Sequence, residues 1–322
     1  MTFGVAISFV AFSLPMTTIA QETPVIPMTT DQAAITTIVE SVATLADRGE
    51  FEALARLFAD ELTLDYSSLN QQPATTRQPL DLMAEWASVL PGFDRTRHAL
   101  SNVTVSVSGQ AATASADVVA SHWVGEGFWQ VTGNYRYELA KRADAWVITS
   151  MTFNLESEQG TRDVFGPAIA AAGTKRGPGQ DAIIAERNKE TVRRFFRTLE
   201  SEDIEALVGL FADDGVQLNP YHGGIFPPGA EGREELLAYW TPVPGNFIGM
   251  RFPIDELLAT EDPTIVFVRY RGEIQLKDDA GVYENNYYST FRFNADGKIA
   301  EYVEIFDPVA AARGFGVLDQ LK

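Results

Sequence analysis

Four residues in the first part of the chain could together move protons: Asp47 in LADRGEFEAL, Tyr66 in LTLDYSSL, His98 in RTRHALSN and His122 in VVASHWVG. An imidazole titrates near neutral pH, so a histidine oriented by a carboxylate can take a proton from carbon and return it to a departing hydroxyl. Eliminating water from a β-hydroxy ketone needs that relay, plus a donor such as the Tyr66 phenol to hold the carbonyl oxygen, directly or through water. The same residue types have plainer uses. A lone histidine on an apolar strand face is commonly a satisfied core residue, a tyrosine after a strand commonly packs, and Asp47 near Gly49 suits a helix-terminal turn. The grouping gives the chemical reading its weight, because the chain has only 3 His and two of them accompany the Asp and the Tyr. The third, His222, lies in the Pro/Gly-rich stretch NPYHGGIFPPG, where an exposed or loop-stabilising role fits better than a ligand role. Two histidines and an aspartate could in principle hold a metal, but no His-x-His or His-x3-His spacing supports one. With no Cys at all, thiolate metal sites, disulfides and cysteine nucleophiles are excluded. The expectation is metal-free acid–base chemistry without a cofactor.

The elements that must carry these groups occur twice. FEALARLFAD at 51–60 returns as IEALVGLFAD at 204–213, identical at seven of ten positions with an offset of 153. Each copy follows an amphipathic helix pattern, marked by Ile35, Ile38, Val39, Val42 and Leu45 in the first and by Val192, Phe195, Phe196 and Leu199 in the second. A short strand, a loop, another helix and several long alternating strands follow in each. The period is too long for a solenoid, so a whole domain is duplicated. Helices followed by antiparallel strands predict two α+β cones, each a curved sheet wrapped on helices and packed as an intramolecular pseudo-dimer. Their boundaries are read as 31–157 and 181–316. Residues 158–180, rich in Gly, Ala and Pro, are taken as a linker lying along the outside while the two sheets pack together. Between 111 and 124 the even positions Ala112, Ala114, Ala116, Val118, Ala120 and His122 form the inward face. Their small size predicts a cavity into which His122 points.

Composition limits the partners. With 25 Lys+Arg against 44 Asp+Glu the net charge is −19, which disfavours nucleic acid and anionic membrane surfaces. Residues 1–20 carry no charged side chain and end in Thr-Ile-Ala, as in a cleaved export signal; residues 21–30 read as a linker. The expected mature protein is periplasmic or secreted, free of the membrane, and a monomer with pseudo-dimeric domains or a weak homo-oligomer. Its expected partner is a small apolar or aromatic molecule.

Residues 30–157 resemble the SnoaL-like superfamily, whose fold is the cone of nuclear transport factor 2, and within it the scytalone-dehydratase type. Asp47, Tyr66, His98 and His122 fall in the order of that family's active-site residues, so the resemblance implies that they eliminate water beside a ketone. A second active-site tyrosine of the family is Ala46 here, and its strand asparagine corresponds to Asn134 or Tyr135. Trp86, Phe93, Trp129, Asn134, Tyr135 and Phe153 are the expected substrate-binding residues, with Trp86 and Phe93 flanking a lid-like loop. Residues 181–314 resemble the phenazine-biosynthesis A/B branch through EGREELLAYW, LLATEDPTIVFVRYRGE, YENNYYSTFRF and DGKIAEYVEIFDPVAAARGFG. There Glu304 matches a strand carboxylate proposed for acid–base work, and alternation puts it on one face with Ala300, Tyr302 and Phe306. Burial among aromatics would raise its pKa; pairing with Arg292 is the plainer reading. The branch's pocket histidine is Tyr239 here, and the repeat image of Asp47 is Glu200. Glu200, Tyr239, Tyr302 and Glu304 therefore define an incomplete second pocket, read as degenerate or ligand-binding. The leading expectation is an exported dehydratase-type lyase or related isomerase acting on a small apolar hydroxy-ketone or phenolic compound. The alternative is a periplasmic protein that binds small hydrophobic ligands without turnover.

Overall fold

The computed structural model describes residues 29–175, 177–277 and 281–321; the expected export signal at 1–20 and most of the 21–30 linker lie outside them. The first cone opens with α1 (Thr30–Arg48), α2 (Phe51–Ala55), β1 (Phe58–Asp65), α3 (Ser67–Asn70), β2 (Thr75–Arg77) and α4 (Pro79–Ala87). Four long strands follow: β3 (Arg95–Ser108), β4 (Ala111–Val124), β5 (Gly127–Arg142) and β6 (Ala145–Gly160). The sheet order is β2-β1-β6-β5-β4-β3, antiparallel except where β1 runs parallel to β6. Thr29 and Gln32 close a capping box on α1, and Gly49 ends the helix at φ 67°, a conformation that costs glycine little. Asp47 is thereby held in the last turn.

Ile35, Val39, Val42 and Ala46 turn one stripe of α1 into the core. Ala112, Ala114 and Ala116 of β4 do not line a cavity as expected; they pack into the same core as that stripe. Small side chains here bring helix and sheet together, and only the far end of the strand, at Ala120 and His122, borders open space.

The second cone repeats this order with α6 (Pro178–Glu200), α7 (Ile204–Val208), β7 (Phe211–Leu218), β8 (Gly229–Glu231) and α8 (Gly232–Trp240). Its sheet continues with β9 (Phe247–Arg251), β10 (Ile254–Ala259), β11 (Ile265–Leu276), β12 (Val282–Phe293) and β13 (Ile299–Val303), and α9 (Pro308–Gly314) closes the domain. β9 and β10 both pair with β11, so the single long β3 is replaced by two strands broken near Pro253, which cannot donate to a ladder.

Residues 158–180 are not the linker the composition suggests. β6 runs to Gly160, and α5 (Phe165–Thr174) follows, with Val164 and Ala168 buried in the first cone. Its small residues allow unusually close docking: a Cβ on Gly92 would lie 1.7 Å from the Ala168 carbonyl oxygen. Nor do the sheets form the junction between cones. Their outer faces are open, with Tyr288 49% and Val119 37% exposed, and the contact is made by α6 against α4 and α2. Ile183 of α6 enters the first core, Gln180 donates to the Ala87 carbonyl at 2.8 Å, and Arg194 reaches Gln78 at 3.1 Å. The apolar side of α6 satisfies both domains, which leaves the polar outer sheet faces to water. No helix among the described residues is long and apolar enough to cross a membrane.

Candidate active site

The first cone encloses a cavity of ≈270 Å³ between α1, α4, α5 and the sheet. His98 from β3 and His122 from β4 line it, and Asp47, at the end of α1, stands behind the His98 ring. Thr96 lies opposite His122 in the ladder, so alternation brings His98 and His122 to the same inner face. Asp47 Oδ1 lies 2.7 Å from His98 Nδ1 and accepts from Thr96 Oγ1 at 2.8 Å; its Oδ2 accepts from the His98 backbone N–H at 2.7 Å. Burial works against the Asp47 charge, but the bonds from the His98 ring, its backbone and Thr96 outweigh it and hold the carboxyl below its ordinary value. An ionised Asp47 can only accept, so Nδ1 of His98 carries the proton in this pair and Nε2 is left for the cavity.

The His98 and His122 rings meet edge to face at 5.4 Å. His122 is 5% exposed, and burial first, then the neighbouring His98, lowers its pKa to about 3. It is therefore neutral at physiological pH, and its Nδ1 is buried without a hydrogen-bond partner among the described residues. Such an atom costs about 1–3 kcal/mol until something bonds to it, which suits a group reserved for a ligand. Tyr66, just after β1, and Tyr135, on β5, have hydroxyls that interact; burial pushes Tyr135 up to about 12 and holds Tyr66 well above its ordinary value. Both remain neutral donors. The buried Tyr137 hydroxyl has no partner either.

Among the expected substrate-binding residues, Trp86, Trp129, Tyr135 and Phe153 line the cavity. Phe93 stands behind it, buried against the His122 ring at 4.9 Å. Asn134 does not belong to the site: it faces outward and bonds Ser115 and Asp117. β4 pairs Ala116 with Tyr135 and Ala120 with Val131, so the odd positions of β5 face inward and Tyr135 takes the place. Phe165 of α5 lines the cavity and was hidden by the linker reading; Tyr137 and Glu85 complete the wall.

In the second cone Tyr239, Tyr302 and Glu304 border one cavity of ≈190 Å³. Glu200 is not among its walls; it is exposed at the end of α6 and accepts from the Phe252 backbone N–H at 2.6 Å. Arg292 lies near Glu301, at 3.9 Å, and Glu304 instead accepts from the Tyr302 and Tyr270 hydroxyls. Asn219, missed in the sequence, lines this cavity and donates to Tyr239 Oη at 2.8 Å; it is the image of Tyr66 at the repeat offset of 153. His222 stays in its loop, where Nδ1 accepts from the Gly224 N–H.

Two α+β cones, each with an apolar cavity at the open end of a curled sheet, define a small-molecule pocket fold. The chain belongs to the SnoaL-like family, of the nuclear-transport-factor-2-like fold, with one SnoaL-like domain matched over residues 27–152 and another over 192–302. A comparison with curated proteins finds no match. Among solved structures, Kfla4162 protein from Kribbella flavida is 28% identical, covers 44% of this chain and 95% of its own, and has a TM-score of 0.37. A phenazine biosynthesis-related protein from Pseudomonas aeruginosa is 22% identical over 44% of this chain and 92% of its own, TM-score 0.39. A candidate scytalone dehydratase from Novosphingobium aromaticivorans is 18% identical over 40% and 87%, TM-score 0.35.

Proposed function

We propose that the first cone is a cofactor-independent lyase of the dehydratase type, or a related isomerase, acting on a small, mostly apolar hydroxy-ketone or phenolic compound. The observation that carries this reading is the Asp47–His98 pair at 2.7 Å opening on an apolar cavity. His98 Nε2 removes the proton next to the carbonyl, and Asp47 stabilises the imidazolium that results. The neutral phenols of Tyr66 and Tyr135 hold the developing enolate oxygen. His98 then returns its proton to the departing hydroxyl, so one group serves as base and acid in turn. His122, kept neutral by burial, bonds the substrate rather than carrying the proton. The protein acts outside the cytoplasm after removal of residues 1–20, as a monomer or a weak homo-oligomer; mass measurement of the exported chain should find Gln21 first.

The test is deuterium uptake at the α-carbon of a panel of small cyclic and aryl β-hydroxy ketones in heavy water, followed by NMR with loss of the hydroxyl. Uptake that disappears in His98→Asn supports the reading. Tight retention of a ligand in native mass spectrometry, with neither exchange nor elimination across the panel, would establish the binding-protein alternative instead.

A further inference from the structure

The cavity of the second cone has a different chemistry, and the dehydratase reading does not use it. Among the described residues its one carboxylate is Glu304, and no Lys, Arg or His lines the space around it. The titratable groups facing Glu304 are phenols: Tyr239 from α8, Tyr270 from β11, Tyr283 and Tyr287 from β12, and Tyr302 from β13. Rings of Phe196, Trp240, Phe306 and Phe315 fill much of the remaining wall. Both Tyr302 and Tyr270 bond the same carboxylate oxygen, Oε1, at 2.9 and 3.1 Å. Oε2 receives no hydrogen bond among the described residues.

We propose that this cavity binds a small organic cation, an amine or quaternary ammonium on a compact apolar body, with Glu304 as its counter-ion and the surrounding aromatic faces as its walls. An aromatic face carries a negative quadrupole and attracts a cation, more strongly where water is excluded. A lone carboxylate in the same box supplies the formal charge that a neutral guest would not need. The chain's net charge of −19 raises the local concentration of cations over anions. In the first cone the wall's carboxylate, Glu85, is already paired with Arg77, and Asp47 is bound to the His98 ring, so neither stands as a free counter-ion.

The hydroxyls of Tyr270 and Tyr302 also lie 2.8 Å from each other. Three oxygens within mutual bonding distance form three edges, and two phenols supply only two protons. The third edge is completed when Glu304 itself is protonated. Burial raises its pKa in the same direction, with Tyr302 and Tyr270 partly opposing. Where Glu304 carries that proton, entry of a cation expels it and leaves the arrangement in which both phenols donate to the carboxylate. Binding is therefore linked to proton release and tightens as pH rises toward the point where the empty site is already ionised.

The probes are benzyltrimethylammonium, whose charge does not change with pH, and its neutral isostere neopentylbenzene, each titrated into the full chain by calorimetry between pH 5 and 8.5. The ammonium should bind at least tenfold tighter than the isostere at the upper end, with affinity falling as pH drops. Glu304→Gln should abolish the tenfold preference, while His98→Asn in the first cone should leave it intact. Equal affinity for the two probes, or a preference that survives Glu304→Gln, would overturn the proposal. Loss of the preference in His98→Asn would place the cation in the first cone and overturn it too. The wild-type pH profile bears on the same point without a variant: a flat profile from pH 5 to 8.5 counts against the linked proton.

Discussion

The two cones place a carboxylate at the same point and use it differently. Asp47 and Glu200 are repeat images, separated by 153 residues, and each accepts a backbone N–H from across the cone, from His98 of β3 at 2.7 Å and from Phe252, in the break between β9 and β10, at 2.6 Å. This bond ties the end of the long helix to the sheet in both domains. Only in the first does the tied residue carry an imidazole, which then shares the carboxylate. Ladder pairing extends the comparison. Tyr137 faces Met151 and Tyr135 faces Phe153 in the first cone, and Phe291 faces Tyr302 in the second, so Glu304 stands where the first cone has Phe153. Likewise Ile274, opposite Met250, takes the place of His122. The polar group has moved two strands along the sheet, from β4 in the first cone to β13, the counterpart of β6, in the second. A helix-terminal carboxylate in this fold is first a brace; its chemistry depends on the residue it braces.

The widest expected gap between the cones is in turnover. His98→Asn should lower kcat by about a thousandfold, as loss of an acid–base group does, while Glu304→Gln should keep the rate of the first cone within a few-fold. Steady-state kinetics on the substrate found by deuterium uptake would show it, and the reverse pattern would transfer the reaction to the second cone. Asp47→Asn should cost less than His98→Asn but still about a hundredfold, because an amide no longer enforces the tautomer with Nε2 free. Glu200→Gln, at the equivalent place, should leave turnover unchanged while lowering stability by about 1–3 kcal/mol through the weakened charged hydrogen bond. A loss of activity in Glu200→Gln equal to that in Asp47→Asn would erase the distinction between brace and catalytic partner.

Acid titration should separate the cones next. His122 takes up a proton in the unfolded chain near pH 6.5 but in the folded chain only near pH 3. Between those values the unfolded state binds more protons, so stability is full above pH 6.5 and declines as pH falls, by up to about 1.4 kcal/mol per unit. Denaturant unfolding of His122→Phe should show a shallower acid decline than the wild type. A stability effect of the same order as that of Glu200→Gln is expected at Gly92: alanine there must displace α5, at a cost of about 1–3 kcal/mol, measurable as a lower Tm.

The duplication and the cone could be read from the sequence, because a repeat of seven identities in ten and the order of helices before alternating strands survive without three-dimensional information; the grouping of Asp47, His98 and His122 rested on the resemblance to the scytalone-dehydratase type, with alternation along β4 turning only His122 inward. The assignment of β5 was left between Asn134 and Tyr135; its pairing with β6 shifts between Thr132 and Gly133, which local alternation does not reveal. α5 was hidden by its composition. FGPAIAAAGT has the small residues of a flexible connection, yet here those residues permit the close approach to Gly92. The break of β3 into β9 and β10 and the role of α6 depended on contacts across long stretches of chain, for which periodicity carries no signal.

The placement of α6 has a practical consequence for anyone wishing to study either half alone. A cut at residue 157, where the repeat invites it, would remove Phe165 from the first cone's cavity and Ala168 from the floor beneath Gly92. A cut after Thr174 would keep both but still strip Ile183 from the first core and Gln180 from its bond to Ala87. The same helix supplies Val192, Phe195 and Phe196 to the second core. One rod is thus held at both ends by different domains, and neither half can be excised without leaving an apolar wound in the other.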